Sequence, residues 1–318
     1  MRTSVSIFCF FVGLGISVMF AFQNCSKVNF ETDLGAIRDK LNAQGGILIN
    51  NDEPYTTSEA VVLSIANLGA DEMYVTDDKD CGRGGEWQPV SAQLPWKLSA
   101  ENKKVAVYAK FREKGLQGAD SKCYSDDITH DNIAPSVRIT EPVKAYINSA
   151  NATLGFIAED TGSGVKNSEC SVNGGSAQVC LNSYSASGLR EGTQSIEIVA
   201  YDNAGNKSSP GYSNFMVDMT APIVNLNKTP PAVTNQSQFQ FEFTATDAGS
   251  GIDGFQCSVA NAAFVACSSP YSVNLPEGNQ TFQVRAIDKA GNVSDIKKYD
   301  WKIDLSIPTT IITQAPPP

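Results

Sequence analysis

Only one histidine, His130, stands in 318 residues. With a single imidazole a multi-histidine metal centre cannot be assembled, and His-based acid–base catalysis would have to rest on His130 alone. Charge is also scarce: 18% of residues are Asp, Glu, Lys or Arg, which is low for a cytosolic enzyme or a coiled coil. Basic residues are the rarer kind, with Lys+Arg 24 against Asp+Glu 34 and a formal net charge of -10. No basic surface is available to displace phosphate counterions, which excludes a general nucleic-acid binder. Helical periodicity is missing from the body of the chain. What is present is apolar content of 42%, too high for wholesale disorder, and length for two or three domains.

Long apolar runs are confined to the N-terminus. Arg2 precedes a run from Val5 to Phe22 broken only by Ser6, Gly13, Gly15 and Ser17. A charged start, an apolar middle and then polar Gln23-Asn24 is the layout of a secretory signal over residues 1–24. At 18 residues the run is also just long enough to span a bilayer, so an uncleaved anchor stays open. Either way the remainder lies outside the cytoplasm. Phe22-Gln23-Asn24-Cys25-Ser26 resembles a bacterial lipobox. The resemblance implies cleavage before Cys25, acylation (palmitate among the chains) and a membrane partner held through lipid, with several acyl chains enough for stable attachment. Ser26 after the cysteine, by resemblance to sorting rules in some Gram-negative bacteria, points to the outer membrane or cell surface.

Cysteine usage fits that address. Apart from Cys9 in the signal and Cys25, six remain: Cys81, Cys123, Cys170, Cys180, Cys257 and Cys267. An even number in an exported chain reads as disulfides. A CxxC-type zinc site fails, since no two of the six are closer than ten residues.

The body repeats with a period of 86 to 87 residues. Asp131-Asn132-Ile133-Ala134-Pro135 recurs as Asp218-Met219-Thr220-Ala221-Pro222 and as Asp304-Leu305-Ser306-Ile307-Pro308. The segment Asp160-Thr161-Gly162-Ser163-Gly164 matches Asp247-Ala248-Gly249-Ser250-Gly251, and Asp202-Asn203-Ala204-Gly205-Asn206 matches Asp288-Lys289-Ala290-Gly291-Asn292. So long a period makes each repeat a complete domain rather than a solenoid blade.

Within a repeat, residues 239–246, 281–287 and 195–201 alternate apolar and polar, the mark of half-buried strands. Turn clusters Asn173-Gly174-Gly175, Glu277-Gly278-Asn279 and Ala290-Gly291-Asn292 supply the positive-φ positions that hairpins need. Six to eight short strands in about 86 residues predict an all-β chain of tandem Ig-like β-sandwich domains. We expect a tether over 25–46 with a weak helix at 31–44, a divergent domain over 47–132, domains over 133–218 and 219–304, and the start of a truncated repeat or a free tail over 305–318. In the divergent copy, residues 61–66 and 105–112 fill the equivalent strand slots. Cys170–Cys180 and Cys257–Cys267 each flank a short turn and can bridge one hairpin, contributing about 2–3 kcal/mol. Cys81 and Cys123 pair by elimination.

The Asp-x-x-Ala-Pro junctions, the Asp160 and Asp247 turns and the Asp-x-Ala-Gly-Asn strand ends resemble bacterial Ig-like repeat domains of cell-surface proteins. The resemblance covers about 133–304 well and 47–132 weakly. It implies a non-enzymatic stalk or adhesion module with a surface protein or carbohydrate as ligand, and fixes no ligand.

Two chemistries compete at the carboxylates. Asp160, Asp202 and Asp218, with their equivalents Asp247, Asp288 and Asp304, recur at matched positions and could supply oxygen ligands to calcium at a cadherin-like junction. The same residues would equally cap their own turns. Trp87, Trp96, Tyr271 and Trp301 could form a sugar-stacking face or belong to the core. His130 beside Asp131 lacks a nucleophile motif nearby, and no cofactor is required. A larger exported hydrolase of which this is the non-catalytic part is a further alternative.

Overall fold

A computed structural model describes residues 46–66, 69–115 and 120–311. The expectations for the signal, Cys25, the tether and the 31–44 helix fall outside these residues. All regular structure among the described residues is β. The first repeat has β1 (Ile47–Ile49), β2 (Tyr55–Thr56), β3 (Ala60–Ile65), β4 (Glu72–Thr76), β5 (Trp87–Pro89), β6 (Gln93–Lys97), β7 (Lys103–Arg112) and β8 (Tyr124–His130). The second has β9 (Ser136–Glu141), β10 (Tyr146–Ile147), β11 (Ala152–Glu159), β12 (Val165–Val172), β13 (Gln178–Cys180), β14 (Ser183–Ala186), β15 (Gly192–Asp202) and β16 (Gly211–Val217). The third has β17 (Ile223–Lys228), β18 (Val233–Thr234), β19 (Gln238–Thr246), β20 (Ile252–Val259), β21 (Val265–Cys267), β22 (Tyr271–Asn274), β23 (Gly278–Asp288) and β24 (Lys297–Ile303).

The topology is the same three times over. A three-stranded sheet, ordered β9-β11-β14, faces a five-stranded sheet, ordered β10-β16-β15-β12-β13. Adding eight to each number gives the third repeat, and subtracting eight gives the first. All pairings are antiparallel except the short parallel ones, β2 with β8, β10 with β16 and β18 with β24. This is the Ig-like sandwich expected from the strand spacing, and the divergent first copy adopts it as well.

By contact density the chain divides into two units. Among the described residues, one comprises 46–53 with Ala60–Lys97 and Ala106–Asp127; the other comprises Pro54–Glu59, Leu98–Val105 and 128–311. The first unit buries aliphatic residues such as Leu48, Leu63, Val75 and Val107, together with Phe111. Its outer aromatic is Trp87, on which the Arg112 guanidinium lies 3.8 Å from the ring centroid. In the second unit, Leu154, Phe156, Ile196, Ile198 and Phe215 fill one core. Phe241, Phe243, Phe282 and Trp301 fill the other, with Phe241 stacked on Phe282 at 4.0 Å.

Three disulfides are present: Cys81–Cys123, Cys170–Cys180 and Cys257–Cys267, with Cα–Cα distances of 5.9, 5.9 and 5.8 Å. The hairpin pairs are not directly opposed, because Cys170 faces Gln178 and Cys180 faces Ser168. The bridge instead runs along the diagonal of the ladder, which strand twist shortens. Each of the two pins a three-residue edge strand, β13 or β21, to its sheet. Cys81–Cys123 ties the β4–β5 loop to the residue before β8. Among the described residues, 305–311 form no strand, and Ile307 and Ile311 are exposed.

Candidate functional site

The repeated aspartates come together at one end of each sandwich in the second unit. Asp131 is the first residue after β8, and its amide donates to the Thr56 carbonyl at 2.9 Å. Asp218 follows β16 and donates to Ile147 in the same way, and Asp304 follows β24 and donates to Thr234, each at 2.9 Å. Ordinary sandwich closure therefore delivers one aspartate to each junction.

What the carboxylate then does is specific. Asp131 Oδ2 accepts the Ser163 amide at 2.6 Å, and Oδ1 accepts the Ile133 amide at 3.1 Å. Asp160, at the end of β11, accepts the amides of Gly162 at 3.0 Å and Gly164 at 2.7 Å through Oδ2. Asp202, at the end of β15, accepts the Gly205 and Asn206 amides through Oδ1, while the Asn206 side-chain amide donates to Oδ2 at 2.7 Å. The same Asn206 Nδ2 reaches the Asp131 carbonyl at 2.9 Å, so the Asp-x-Ala-Gly-Asn motif clamps the linker. In the third repeat Asp218, Asp247, Asp288, Ser250 and Asn292 form the matching bonds, Ser250 N to Asp218 again at 2.6 Å.

The geometry explains the glycines. A Cβ on Gly162 would stand 2.4 Å from the Asp131 carboxyl carbon, and one on Gly249 would stand 2.3 Å from that of Asp218. Gly164 and Gly251 both hold φ of +81°, where a side chain is strained.

The two clusters are Asp131, Asp160, Asp202 and Asp218, Asp247, Asp288, each with one carboxylate oxygen per residue lying within 4.8 Å of the others. Asp160 and Asp202 meet Asp131, the linker residue before their repeat. Asp218 belongs with Asp247 and Asp288, and Asp304 joins no cluster among the described residues. Asp131 recurs 87 residues on as Asp218, and that recurrence is the signal in the sequence that marks it for the cluster. His130 is itself buried, its Nδ1 accepting the Asn102 amide at 2.9 Å.

Asp131, Asp202, Asp218 and Asp288 are all at most 2% exposed. Burial pushes the Asp131 carboxyl up, yet hydrogen bonds from the Ser163 hydroxyl and amide and from the Ile133 amide outweigh it and hold it below the ordinary range. Asp218 shows the same balance with Ser250 and Thr220. At Asp304 the Ser306 hydroxyl, then Lys302, hold the carboxyl down to about 2. One atom in each cluster has no partner: Asp160 Oδ1 and Asp247 Oδ1 are sealed from solvent and accept no hydrogen bond.

The aromatic candidates do not make one face. Trp301 is buried edge-on to Phe241, and Tyr271 stacks on Phe282 at 5.8 Å, so both serve the third core. Trp87 and Trp96 lie in the other unit on different sheets.

No family model matches the chain, and no curated protein matches it. Among solved structures, the fibronectin(III)-like modules of Clostridium thermocellum CbhA are 16% identical, with 56% of this chain and 100% of that one covered at a TM-score of 0.38. Chicken CNTN1 FN1-FN3 domains are 14% identical, covering 81% and 98% at 0.28. The three N-terminal domains of the bacteriophage RB49 outer capsid protein Hoc are 7% identical, covering 82% and 99% at 0.41. The architecture here rests on strand order, not on these scores.

Proposed function

We propose that this chain is a non-catalytic cell-envelope lipoprotein, attached through Cys25, whose tandem Ig-like domains act as a stalk or binding module on the surface. The observation that carries the reading is the threefold repetition of one disulfide-stapled sandwich, each copy handing an aspartate on from its last strand. Disulfides fit an exported protein, since the cytosol keeps thiols reduced. Ahead of the repeats stands an N-terminal segment with the layout of an export signal and a cysteine in place for a lipid. The domains proposed for such a stalk are 47–132, 133–218 and 219–304.

The intact mass of detergent-extracted protein, with and without reduction, tests this. A chain beginning at Cys25 with acyl mass, gaining six hydrogens on reduction, supports it. A chain that retains Met1 or lacks lipid contradicts the anchor.

A further inference from the structure

The second and third repeats share a backbone but not the outer face of the five-stranded sheet. In each, the register between two central strands passes over one residue: Lys166 where β12 pairs with β15, and Asp253 where β20 pairs with β23. Such a bulge re-aims the side chains beside it. Past it, Asn167 pairs with Tyr201 and Glu169 with Val199, where the third repeat pairs Gly254 with Ile287 and Gln256 with Arg285. Glu169 and Val199 alternate with the core residues Cys170 and Ile198, so they face outward and the sandwich does not dictate them.

In the third repeat this face is closed. Arg285 Nε donates to Gln256 Oε1 at 2.8 Å, and its guanidinium lies 4.4 Å from the centroid of the Phe264 ring. In the second repeat Val199 stands in place of Arg285 and is too short to cover its neighbours. A cleft of about 270 Å³ opens there, lined by Lys166, Asn167, Glu169, Tyr201, Asp202 and Gly205. Tyr201 is half-buried, and Lys207, outside the lining, stands with Nζ 5.9 Å from the centroid of its ring. Among the described residues, nothing hydrogen-bonds or ion-pairs with the side chains of Lys166, Asn167 and Glu169 or with the Tyr201 hydroxyl. Four polar groups therefore line one small space with their bonding capacity free.

The lining selects a ligand chemistry. The Tyr201 ring offers an apolar face edged by a hydroxyl. The Glu169 carboxylate only accepts, the Lys166 ammonium only donates, and the Asn167 amide does both. A sugar has the matching pattern, with a C–H face for the ring and hydroxyls that both donate and accept. No Val, Leu, Ile, Met or Phe lines the cleft, which leaves nothing for an apolar peptide anchor to pack on. Carboxylates in the wall and a net charge of -10 oppose an acidic sugar. The volume lies just below the roughly 300–1,000 Å³ of sites for drug-sized ligands, room for a single sugar unit.

We propose that this cleft binds one neutral hexose or N-acetylhexosamine unit of a glycan, stacked on Tyr201 and hydrogen-bonded by Lys166, Asn167 and Glu169. The proposal deepens the binding-module reading given above and rests on no part of the lipid anchor. The third repeat, with Ile287 and Arg285 in the matching places, has no such site.

Amide NMR spectra of the full chain with its disulfides intact, titrated with maltotriose, lactose and triacetylchitotriose, test this. A site for one sugar unit has a Kd on the order of 1 mM. At least one of the three sugars should shift the amides of 166–169 and 201–205 in a saturable way and leave those of 253–256 and 287–291 unmoved. Tyr201→Ile removes the ring, and Glu169→Gln with Val199→Arg copies the pair that closes the third repeat. Each should weaken binding by about tenfold or more while melting within about 2 °C of the parent, since the third repeat folds with these same side chains. No saturable shift with any of the three sugars, equal shifts in both repeats, or binding untouched by Tyr201→Ile overturns the proposal. The titration of the unsubstituted chain depends on no variant folding. Its failure leaves the anchored stalk standing, and a failed intact-mass result at Cys25 leaves the sugar site standing.

Discussion

The second and third repeats share a junction almost bond for bond while filling their cores differently. Ser163 and Ser250 donate to Asp131 and Asp218 at the same 2.6 Å, and Asn206 and Asn292 clamp the two linkers alike. Yet Ile196, in the middle of the second core, stands where the third has Phe282, and Phe215 stands where the third has Trp301. Hydrophobic packing is non-directional and accepts any set of side chains of about the right volume. A buried carboxylate accepting an amide is directional, and leaving either group unpaired is costly. The first sandwich completes the comparison: it has Ala66 where the others have Asp160 and Asp247, and the topology survives. The aspartates therefore serve the junctions, not the sandwich.

The largest expected effect bears on the cores. Phe282→Ala removes the ring on which Phe241 and Tyr271 stack and should destabilise the third repeat by about 3–5 kcal/mol, while Ile196→Ala should cost the second about 2–5 kcal/mol. Denaturant unfolding of the full chain would show this; a loss below about 1 kcal/mol for Phe282→Ala would mean the rings do not form the core.

Disulfide removal comes next. Cys81–Cys123 spans 42 residues and each hairpin bridge spans 10, so the loop-entropy argument gives about 4 kcal/mol for the first and about 2.5–3 kcal/mol for each of the others. Paired Cys→Ser variants, unfolded in denaturant, should rank in that order, and equal losses would refute the entropic ranking.

A smaller and more discriminating change is Gly162→Ala against Gly249→Ala. Each methyl meets a carboxylate already held by two amides, so both should cost about 1–3 kcal/mol. Equal losses, measured by calorimetry, sharpen the comparison; a loss at only one position breaks it.

The smallest effect separates the first sandwich from the others. Asp126 accepts the Ile49 amide at 2.6 Å, but burial outweighs that bond and pushes its carboxyl above the ordinary range. A carboxyl with a raised folded pKa penalises the fold at pH above that value, and the penalty fades as pH falls toward the ordinary carboxylate value. Asp126→Asn should therefore stabilise the first unit at neutral pH, by about 0.5 kcal/mol or less, and change nothing near pH 3. Stabilisation that persists at pH 3 would show another cause.

Much of this was legible in the sequence because the chain repeats itself. Period-2 alternation located the long strands, such as residues 281–287 inside β23 (Gly278–Asp288), and the ten-residue cysteine spacing marked the hairpin bridges. Recurrence shows which residues matter but not which copies meet. Asp131 and Asp218 both adjoin the second repeat in sequence, and only the topology, which places the incoming linker beside the β11–β12 and β15–β16 loops, selects Asp131. The Cys81–Cys123 bridge was out of reach of spacing, since it joins two irregular segments 42 residues apart. Residues 308–311 copy the sequence pattern of β17 without the ladder that β19 gives it, and they form no strand.

The most direct measurement is amide hydrogen exchange at Ser163 and Ser250 in the same chain. Both amides lie in loops and both donate to a buried linker carboxylate, so the account predicts strong and closely similar protection at the two positions. Exchange of either at the rate of an open loop would contradict the claim that the junction is the part the repeats hold in common.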